Sequence, residues 1–400
     1  MKKLAICLFL SLIGAGFIDA LACTTAIISA KASGTGRPLL WKHRDTDEYY
    51  NHIEYLKGEK YSFTALVNTR DTVYHEVWAG ANEKGFIIAN NVSYNINTKV
   101  YDNPSQNGYV MKDALGVCAT VDEFEQFLKD MPIPRGARAN FAVIDGVGGA
   151  AYFEVGDDRY FRFDVKDSPR GYLYRTNFSV AGVEDGGAGY IRYETAKKLF
   201  EEKKRRFTPE WILENPARSF YHSLMEQDLA EMKKKHLGNG FVISKDYIPR
   251  YTTTSSIVFE GVNPGEDPKN TILWSTIGYA PCSYAIPIWV GAEAEIPVCM
   301  SSKNKELAPA NELAMQLKSI AFPITRGSGK YYLDYLTLRE DIMPEILKAE
   351  GKEISEGTKL KRKLKSKGFD IEAIKEFNLK ADKRFEAFRK KMDKVIRKKK

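Results

Sequence analysis

Beyond its first twenty residues the chain has no apolar run near the roughly 18 residues that a membrane-spanning helix requires, which removes a bundle of spanning helices from consideration. Cysteine is scarce, five in 400 residues, with no CxxC pair to hold zinc and no spacing typical of a disulfide-stapled mini-domain. Histidine is equally scarce: His43, His52, His75, His222 and His236 are all there are, none in an HExxH helix, and no GxSxG serine elbow occurs. Metalloprotease and serine-hydrolase chemistry therefore lack their usual residues. The run Asp145–Gly149 is not set between a strand and a helix as a phosphate-binding loop is, and it reads as a turn. No internal repeat is present.

What the chain has is a globular composition, 44% hydrophobic and 12% aromatic, enough for a large core in two or three domains or one large α/β unit. Its net charge of +8 is unevenly placed: the last fifty residues hold nineteen Lys/Arg against eight Asp/Glu, so the remainder is slightly acidic, about −3. A basic patch suits nucleic acid or an anionic surface. Here it is confined to a tail of helical texture and reads as a solvated helix, with no nucleic-acid partner expected.

The N-terminus is the most informative segment. Lys2 and Lys3, the apolar run Leu4–Ile18, and Ala20-Leu21-Ala22 have the form of a secretory signal with an A-x-A cleavage site. Residues 1–22 are thus expected to be removed and the protein secreted or periplasmic. Cleavage makes Cys23 the first residue, with a thiol and an α-amine on one residue. In water the amine has a pKa of about 7.7 to 8 and the thiol about 8.5, so the amine can serve as the thiol's base. A rival reading is a lipoprotein anchored through Cys23. Ala20 stands where that signal prefers a larger aliphatic residue and Leu21 where it prefers a small one. Of the other cysteines, Cys118 lies in an apolar run and reads as a buried hydrophobe, while a Cys282–Cys299 bridge is left open.

From Cys23 to about Gly189 the texture is short β-type runs broken by Gly, Asn and Asp, including Cys23–Ser29, Pro38–Trp41, Phe86–Val92, Ala139–Ile144 and Gly171–Arg175. Asn82–Gly85 and Asp145-Gly146 are hairpin turns, and Thr120 precedes Phe124, Phe127 and Leu128 as the N-cap of a helix. An antiparallel sheet with helical cover is expected. A charged helical insertion at about 190–240 interrupts a catalytic domain spanning 23–300, strands resume at Ser255–Phe259, and residues 301–400 read as a helical, basic C-terminal extension.

Twenty residues after Cys23 comes His43-Arg44-Asp45-Thr46-Asp47, just past the strand Pro38–Trp41. A turn at Ser33–Arg37 returns it alongside the nucleophile. Arg44 is placed to favour the thiolate, and Asp47 to accept N–H bonds from the amine; His43 reads as a surface turn residue. Acyl transfer also needs donors for the developing oxyanion. Asn90-Asn91 and Asn177 are the candidates, and Asn91-Val-Ser and Asn177-Phe-Ser also match the glycosylation sequon. Tyr49, Tyr50, Trp78 and Tyr94 are candidates for a pocket lining an apolar acyl chain.

Cys23-Thr-Thr, Arg44-x-x-Asp47, Gly80-x-Asn82-Glu83-x-Gly85 leading into an asparagine pair, and Arg175-Thr176-Asn177-Phe178 together resemble the N-terminal-nucleophile (Ntn) amide hydrolases. The likeness is to the choloylglycine hydrolase and penicillin V acylase group and the related acyltransferase-type peptidases, over roughly Cys23 to Trp289. It implies an α+β fold, a four-layer αββα sandwich of antiparallel sheets, with Cys23 as nucleophile, Arg44 and Asp47 beside it, Asn177 positioning the amine or oxyanion, and Asn91, or Asn90, as the earlier asparagine. It implies hydrolysis of a linear amide through a thioester, with acyl transfer as the alternative, on a small N-acyl amide or peptide. No metal or cofactor is expected; a homo-oligomer is left open. Bile-salt and penicillin acylases also carry a later arginine on a strand, absent here from Tyr251–Ser256 although Arg250 precedes it. That departure leans toward the acyltransferase or peptidase side.

Overall fold

The computed structural model describes residues 22–71, 75–304 and 306–399, so the expected signal segment lies outside the described residues apart from Ala22. Two antiparallel sheets stack face to face. The first has six strands. β1 (Cys23–Ile28) is central to the site, flanked by β2 (Leu39–Asp45) and by Tyr172–Arg175.

The second sheet has seven strands and is a simple up-and-down meander. It runs through β3 (Asn51–Lys57), β4 (Ser62–Asn68), β5 (Val77–Asn82), β6 (Ile87–Val92), then, after α1 (Asn107–Val117) and α2 (Val121–Asp130), β7 (Ala139–Ile144), β8 (Ala150–Val155) and β9 (Tyr160–Asp164). The chain returns to the first sheet as β10 (Tyr172–Arg175), passes through α3 (Tyr190–Glu202) and α4 (Pro209–Glu214), and completes it with β11 (Thr253–Glu260), β12 (Ile272–Ile277) and β13 (Ile286–Trp289). The order is β10-β1-β2-β11-β12-β13. Three longer helices follow: α5 (Pro309–Ala321), α6 (Met343–Lys367) and α7 (Ile371–Lys399).

The continuous apolar run of β7 has a direct cause. Ala142 and Ile144 face the six-stranded sheet, while Ala139, Phe141 and Val143 face a second core beneath α1 and α2, so both faces of the strand are buried. Phe124 of α2 meets Phe141 and Phe153 edge-on at 5.8 and 5.1 Å between ring centres. Thr120 caps α2, its Oγ1 accepting from Glu123 N at 3.1 Å. A close approach seats α1: a Cβ on Gly58 would lie 2.3 Å from the Cα of Gly116.

On the other side, α3, α4 and the C-terminal helices cover the six-stranded sheet, which gives the αββα layering. The expected antiparallel α+β sandwich is thus the observed fold, while the expected strand Pro38–Trp41 runs on to Asp45. Two elements carry no strong sequence signal: β3, whose residues alternate with polar groups, and α1, which begins Asn107-Gly108.

The helices after Pro309 share one core with the sheet rather than standing off it. Glu350 of α6 receives a two-pronged pair from Arg218, both bonds 2.7 Å, and also Ala285 N at 2.7 Å. Both side chains are fully buried, and Arg218 donates further to the carbonyls of Leu213, Ala280 and Ser283. Removing one partner strands the other charge in the core, so Arg218→Met should destabilise the protein by about 3–5 kcal/mol. Denaturant unfolding measures this, and a loss below about 1 kcal/mol would contradict the assignment.

Lys318 of α5 presents the opposite case. It is 3% exposed, and its Nζ has no hydrogen-bond partner among the described residues. It lies over the rings of Tyr49 and Tyr251, 4.2 and 4.5 Å from their centres. Burial pulls its pKa from 10.5 to about 7, against the pull of Cys282 and Asp45. The unfolded chain therefore binds more protons between those values, and stability rises with pH across that window. Lys318→Met should stabilise the protein by a few kcal/mol, on the order of the pKa gap, at pH 6 and far less at pH 10. Equal gains at the two pH values in thermal or denaturant unfolding would refute this.

Candidate active site

The pairing of β1 with β2 places Cys23 opposite Arg44, Thr24 opposite His43, and Thr25 opposite Lys42. Opposed residues share a face and neighbours alternate. Lys42 and Arg44 thus project with Cys23 toward the seven-stranded sheet, while His43 and Asp45 project with Thr24 toward α3 and the loop before β11.

On the first face, the Lys42 ammonium lies beside the Cys23 thiol and donates to Asn90, to its carbonyl and to Oδ1, the latter at 3.2 Å. Burial pulls its pKa below the usual lysine range, partly opposed by the charge of the Cys23 sulfur. Arg44 lies with its guanidinium 4.5 Å from the centre of the Trp78 ring, and burial pulls it down to about 10. Two donors here have no acceptor among the described residues, Arg44 Nη1 and Asn90 Nδ2. Asn91 is directed elsewhere: its Oδ1 accepts from Thr25 Oγ1, which also pairs with Tyr152 OH at 2.8 Å. Of the two asparagines, Asn90 is therefore the one that shares a partner with the thiol, and Asn91 ties β1 to the opposite sheet.

On the second face the expected role of Asp47 is corrected. β2 ends at Asp45, so Asp47 lies beyond the sheet, exposed, with Thr46 Oγ1 donating to its Oδ1 at 3.3 Å. Asp45 is the buried carboxylate. It accepts from Thr253 Oγ1 at 2.7 Å and Arg250 Nε at 3.0 Å, and its backbone carbonyl lies 4.0 Å from Cys23 Sγ. Arg250, the residue just before the arginine-free stretch, thus reaches the site from outside a strand. His43 is also corrected: it is fully buried, 3.2 Å from Thr253 Oγ1, and burial pulls its pKa to about 4.

Asn177, just past β10, is brought to Cys23 as its motif implied. Its Oδ1 accepts from Cys23 N at 2.8 Å and its Nδ2 donates to the carbonyl of Val92 at 2.9 Å. In the uncleaved chain that nitrogen is a peptide N–H; it stands where the α-amine of a chain beginning at Cys23 stands. Both sequon asparagines are fully buried, so the folded chain offers neither for glycosylation.

Three residues of this site were not anticipated: Lys42, Asp45 and, on α3, Arg192. Arg192 Nη1 donates to the Cys23 carbonyl at 2.8 Å and to Thr24 Oγ1 at 3.0 Å, and its Nη2 to Asn177 Oδ1 at 2.8 Å. The absence of a side chain on Gly189 makes room, since a Cβ there would lie 2.4 Å from Arg192 Nη2, and Gly189 also has a φ of +83°. The sequence does hold a signal: Arg192 falls on the helix stripe that buries Thr195, Ala196 and Phe200.

Ala22 stands in a cavity of about 220 Å³ walled by Arg192, Arg250, Asp246, Tyr251 and Tyr331. A larger one, about 470 Å³, lies at the far end of β1 around Ser29, Asp145 and Val262 and touches none of these groups. The smaller cavity is the one that adjoins Cys23, through Ala22 and Arg192.

With this geometry in view, residues 36–225 match the family model of acyl-coenzyme A:6-aminopenicillanic acid acyl-transferase. Over those residues, just under half of its length, the chain resembles that acyltransferase family. The matched span holds Lys42–Asp45, Asn90, Asn177 and Arg192; Cys23 lies before its first residue. No curated protein matches the sequence. Among solved structures, the chain is similar to a mutant of conjugated bile acid hydrolase from Clostridium perfringens, at 15% identity and a TM-score of 0.37 over 68% of this chain and 93% of that one. It is similar to the Caenorhabditis elegans ortholog of N-acylethanolamine-hydrolyzing acid amidase at 14%, TM-score 0.36, over 60% and 92%. Penicillin V acylase from Agrobacterium tumefaciens follows at 12%, TM-score 0.35, over 67% and 86%.

All four described cysteines are free, so Cys282 and Cys299 form no bridge. Burial pushes the Cys118 thiol up to about 12 and those of Cys282 and Cys299 higher. Alkylation of a chain cut before Cys23 at pH 8 should therefore modify Cys23 alone. Peptide mass mapping checks this, and labelling of Cys282 or Cys299 in the folded protein would contradict it.

Proposed function

We propose that the chain is exported to a secreted or periplasmic location, that residues 1–22 are removed, and that the mature protein cleaves a linear amide through Cys23. The observation that carries this reading is the bond from Cys23 N to Asn177 Oδ1: the nitrogen that becomes the α-amine is already held. Cleavage converts a peptide N–H, which has no useful basicity, into an amine that titrates near about 7.7–8 in water.

The amine takes the thiol proton and the sulfur attacks the amide carbonyl carbon. The carbonyl oxygen becomes an oxyanion, for which Arg44 Nη1 and Asn90 Nδ2, both without an acceptor among the described residues, are the proposed donors. The ammonium of Cys23 returns its proton to the leaving nitrogen as the C–N bond breaks, leaving a thioester on sulfur. A water molecule, deprotonated by the same amine, attacks the thioester carbon and frees the carboxylic acid and the thiol. Lys42 orders Asn90 beside the sulfur, and Asp45, gripped by Arg250 and Thr253, fixes the end of β2 whose carbonyl faces Sγ. Acyl transfer differs only in the last step, where an amine replaces water; the match to an acyltransferase family supports that variant.

The test is a screen of N-acyl amides, penicillin V, conjugated bile salts and small peptides against the mature protein, with and without an added amine acceptor. Cys23→Ser should fold and lose at least about 99% of turnover. Asp45→Asn should lose about tenfold or more, whereas Asp47→Asn should stay within about twofold. A diacylglycerol adduct on Cys23 in the intact mass would overturn the enzymatic reading in favour of a lipid anchor.

A further inference from the structure

The proposed mechanism asks the Cys23 amine to be unprotonated and aimed at the thiol, and it leaves one buried cation unused. Arg192 is 2% exposed, yet its guanidinium is directed at the nucleophile's own surroundings: the Cys23 carbonyl, Thr24 Oγ1 and Asn177 Oδ1. We propose that Arg192 is a positioning residue that keeps the α-amine of the mature chain neutral and oriented for taking the thiol proton. The inference rests on the amide-cleaving reading.

The argument begins with the shared acceptor. Asn177 Oδ1 has two lone pairs, and it takes one bond from Cys23 N and one from Arg192 Nη2, both 2.8 Å. With Arg192 in place this oxygen accepts a single N–H from the amine. A neutral amine is satisfied by that arrangement, since its lone pair is left for the S–H proton. An ammonium has three N–H groups to place and a guanidinium across the same oxygen to repel it. A like charge at this range disfavours the charged form.

The surrounding charges do not cancel this effect. From β2 come the cations Lys42 and Arg44, the carboxylate Asp45, and His43, which burial keeps neutral by pulling it to about 4. The loop before β11 contributes Arg250 and, at the cavity wall, Lys245 and Asp246. The Tyr94 phenol is pushed up to about 12, first by burial and then by the Cys23 charge, so it carries no charge at working pH. Asp45, the buried carboxylate, is bonded to Arg250 at 3.0 Å, and Asp246 is exposed to solvent. Arg192 is bonded directly to the acceptor that Cys23 N uses.

The experiment compares wild type, Arg192→Gln, Arg192→Lys and Asp246→Asn as mature proteins. The acid limb of kcat/KM with an N-acyl amide should move up by about one to two pH units in Arg192→Gln, with turnover largely recovered above the limb. Arg192→Lys keeps the charge and should hold the limb within about half a unit. Asp246→Asn removes a negative charge from the cavity and should move it down. A lowered plateau with an unmoved limb in Arg192→Gln makes Arg192 merely structural and overturns the proposal. If that variant does not fold, the limb in Arg192→Lys and the direction of the Asp246→Asn shift decide.

A substrate-free readout separates this inference from the function it rests on. NMR titration of mature protein carrying ¹⁵N-cysteine reports the α-amine directly. A wild-type value below about 7.7 that rises in Arg192→Gln sustains the role of Arg192 even if no amide is turned over, in which case the amide-cleaving reading is what falls. An amine at about 7.7–8 in both proteins removes the role of Arg192 whatever the activity.

Discussion

The antiparallel pairing of Cys23 with Arg44 decides which side chains meet the Cys23 thiol. Because the side-chain period of a strand is two, a slip of one residue would exchange every group on one face for its neighbours on the other. In the observed register Lys42 and Arg44 accompany the thiol into the space between the sheets. Asp45 and His43 face the helices, where Arg192 and Arg250 are waiting. β2 is held on both edges, by β1 and by β11, so this register is fixed by two ladders rather than one. The β11 ladder also brings Thr253 opposite Asp45, which sets the carboxylate's first hydrogen bond.

A second constraint comes from burying so much charge. Lys42, Arg44, Arg192 and Lys318 are all nearly or fully excluded from water, and burial is the largest influence on each. Such groups are costly unless bonded. Arg192 is bonded at every edge it presents to the site, whereas Arg44 and Asn90 each keep a donor unfilled among the described residues, and Lys318 rests on aromatic faces. The fully bonded pair Arg218–Glu350 has a different part: it fastens α6 to the sheet, so the helical layer beneath the site is continuous with the C-terminal helices.

Much of this was legible beforehand. Cys23 follows from the leader-like segment, and the strand–turn punctuation marks most strands of both sheets, because runs buried on both faces are strongly apolar. Asn177 follows from its position after a strand in the Arg-Thr-Asn-Phe motif. Asp45 did not follow, since apolarity ends at Trp41 while the strand runs on through Lys42-His43-Arg44-Asp45. Four polar residues in a row look like a surface turn; here they are buried because the strand lies inside a sandwich, with the second sheet on one face and helices on the other. Lys42 was hidden for the same reason. Arg192 was hidden in a helix whose other charges are solvated.

The sequence by itself determined the groups on offer: a cysteine behind a leader-like segment, strands that alternate or are wholly apolar, an arginine and asparagines near strand ends, and a basic helical tail. These follow from local pattern, which residue order carries directly. Only the tertiary structure decided which of two aspartates is buried near Cys23, which of two asparagines shares a partner with the thiol, and that a helix far along the chain sends an arginine to the acceptor that Cys23 N uses. Each of these depends on strand register and on contacts between residues far apart in the chain, as with Cys23 and Asn177. Local patterns leave such choices open because both members of each pair suit the same strand end; burial on one side of a paired ladder is what tells them apart.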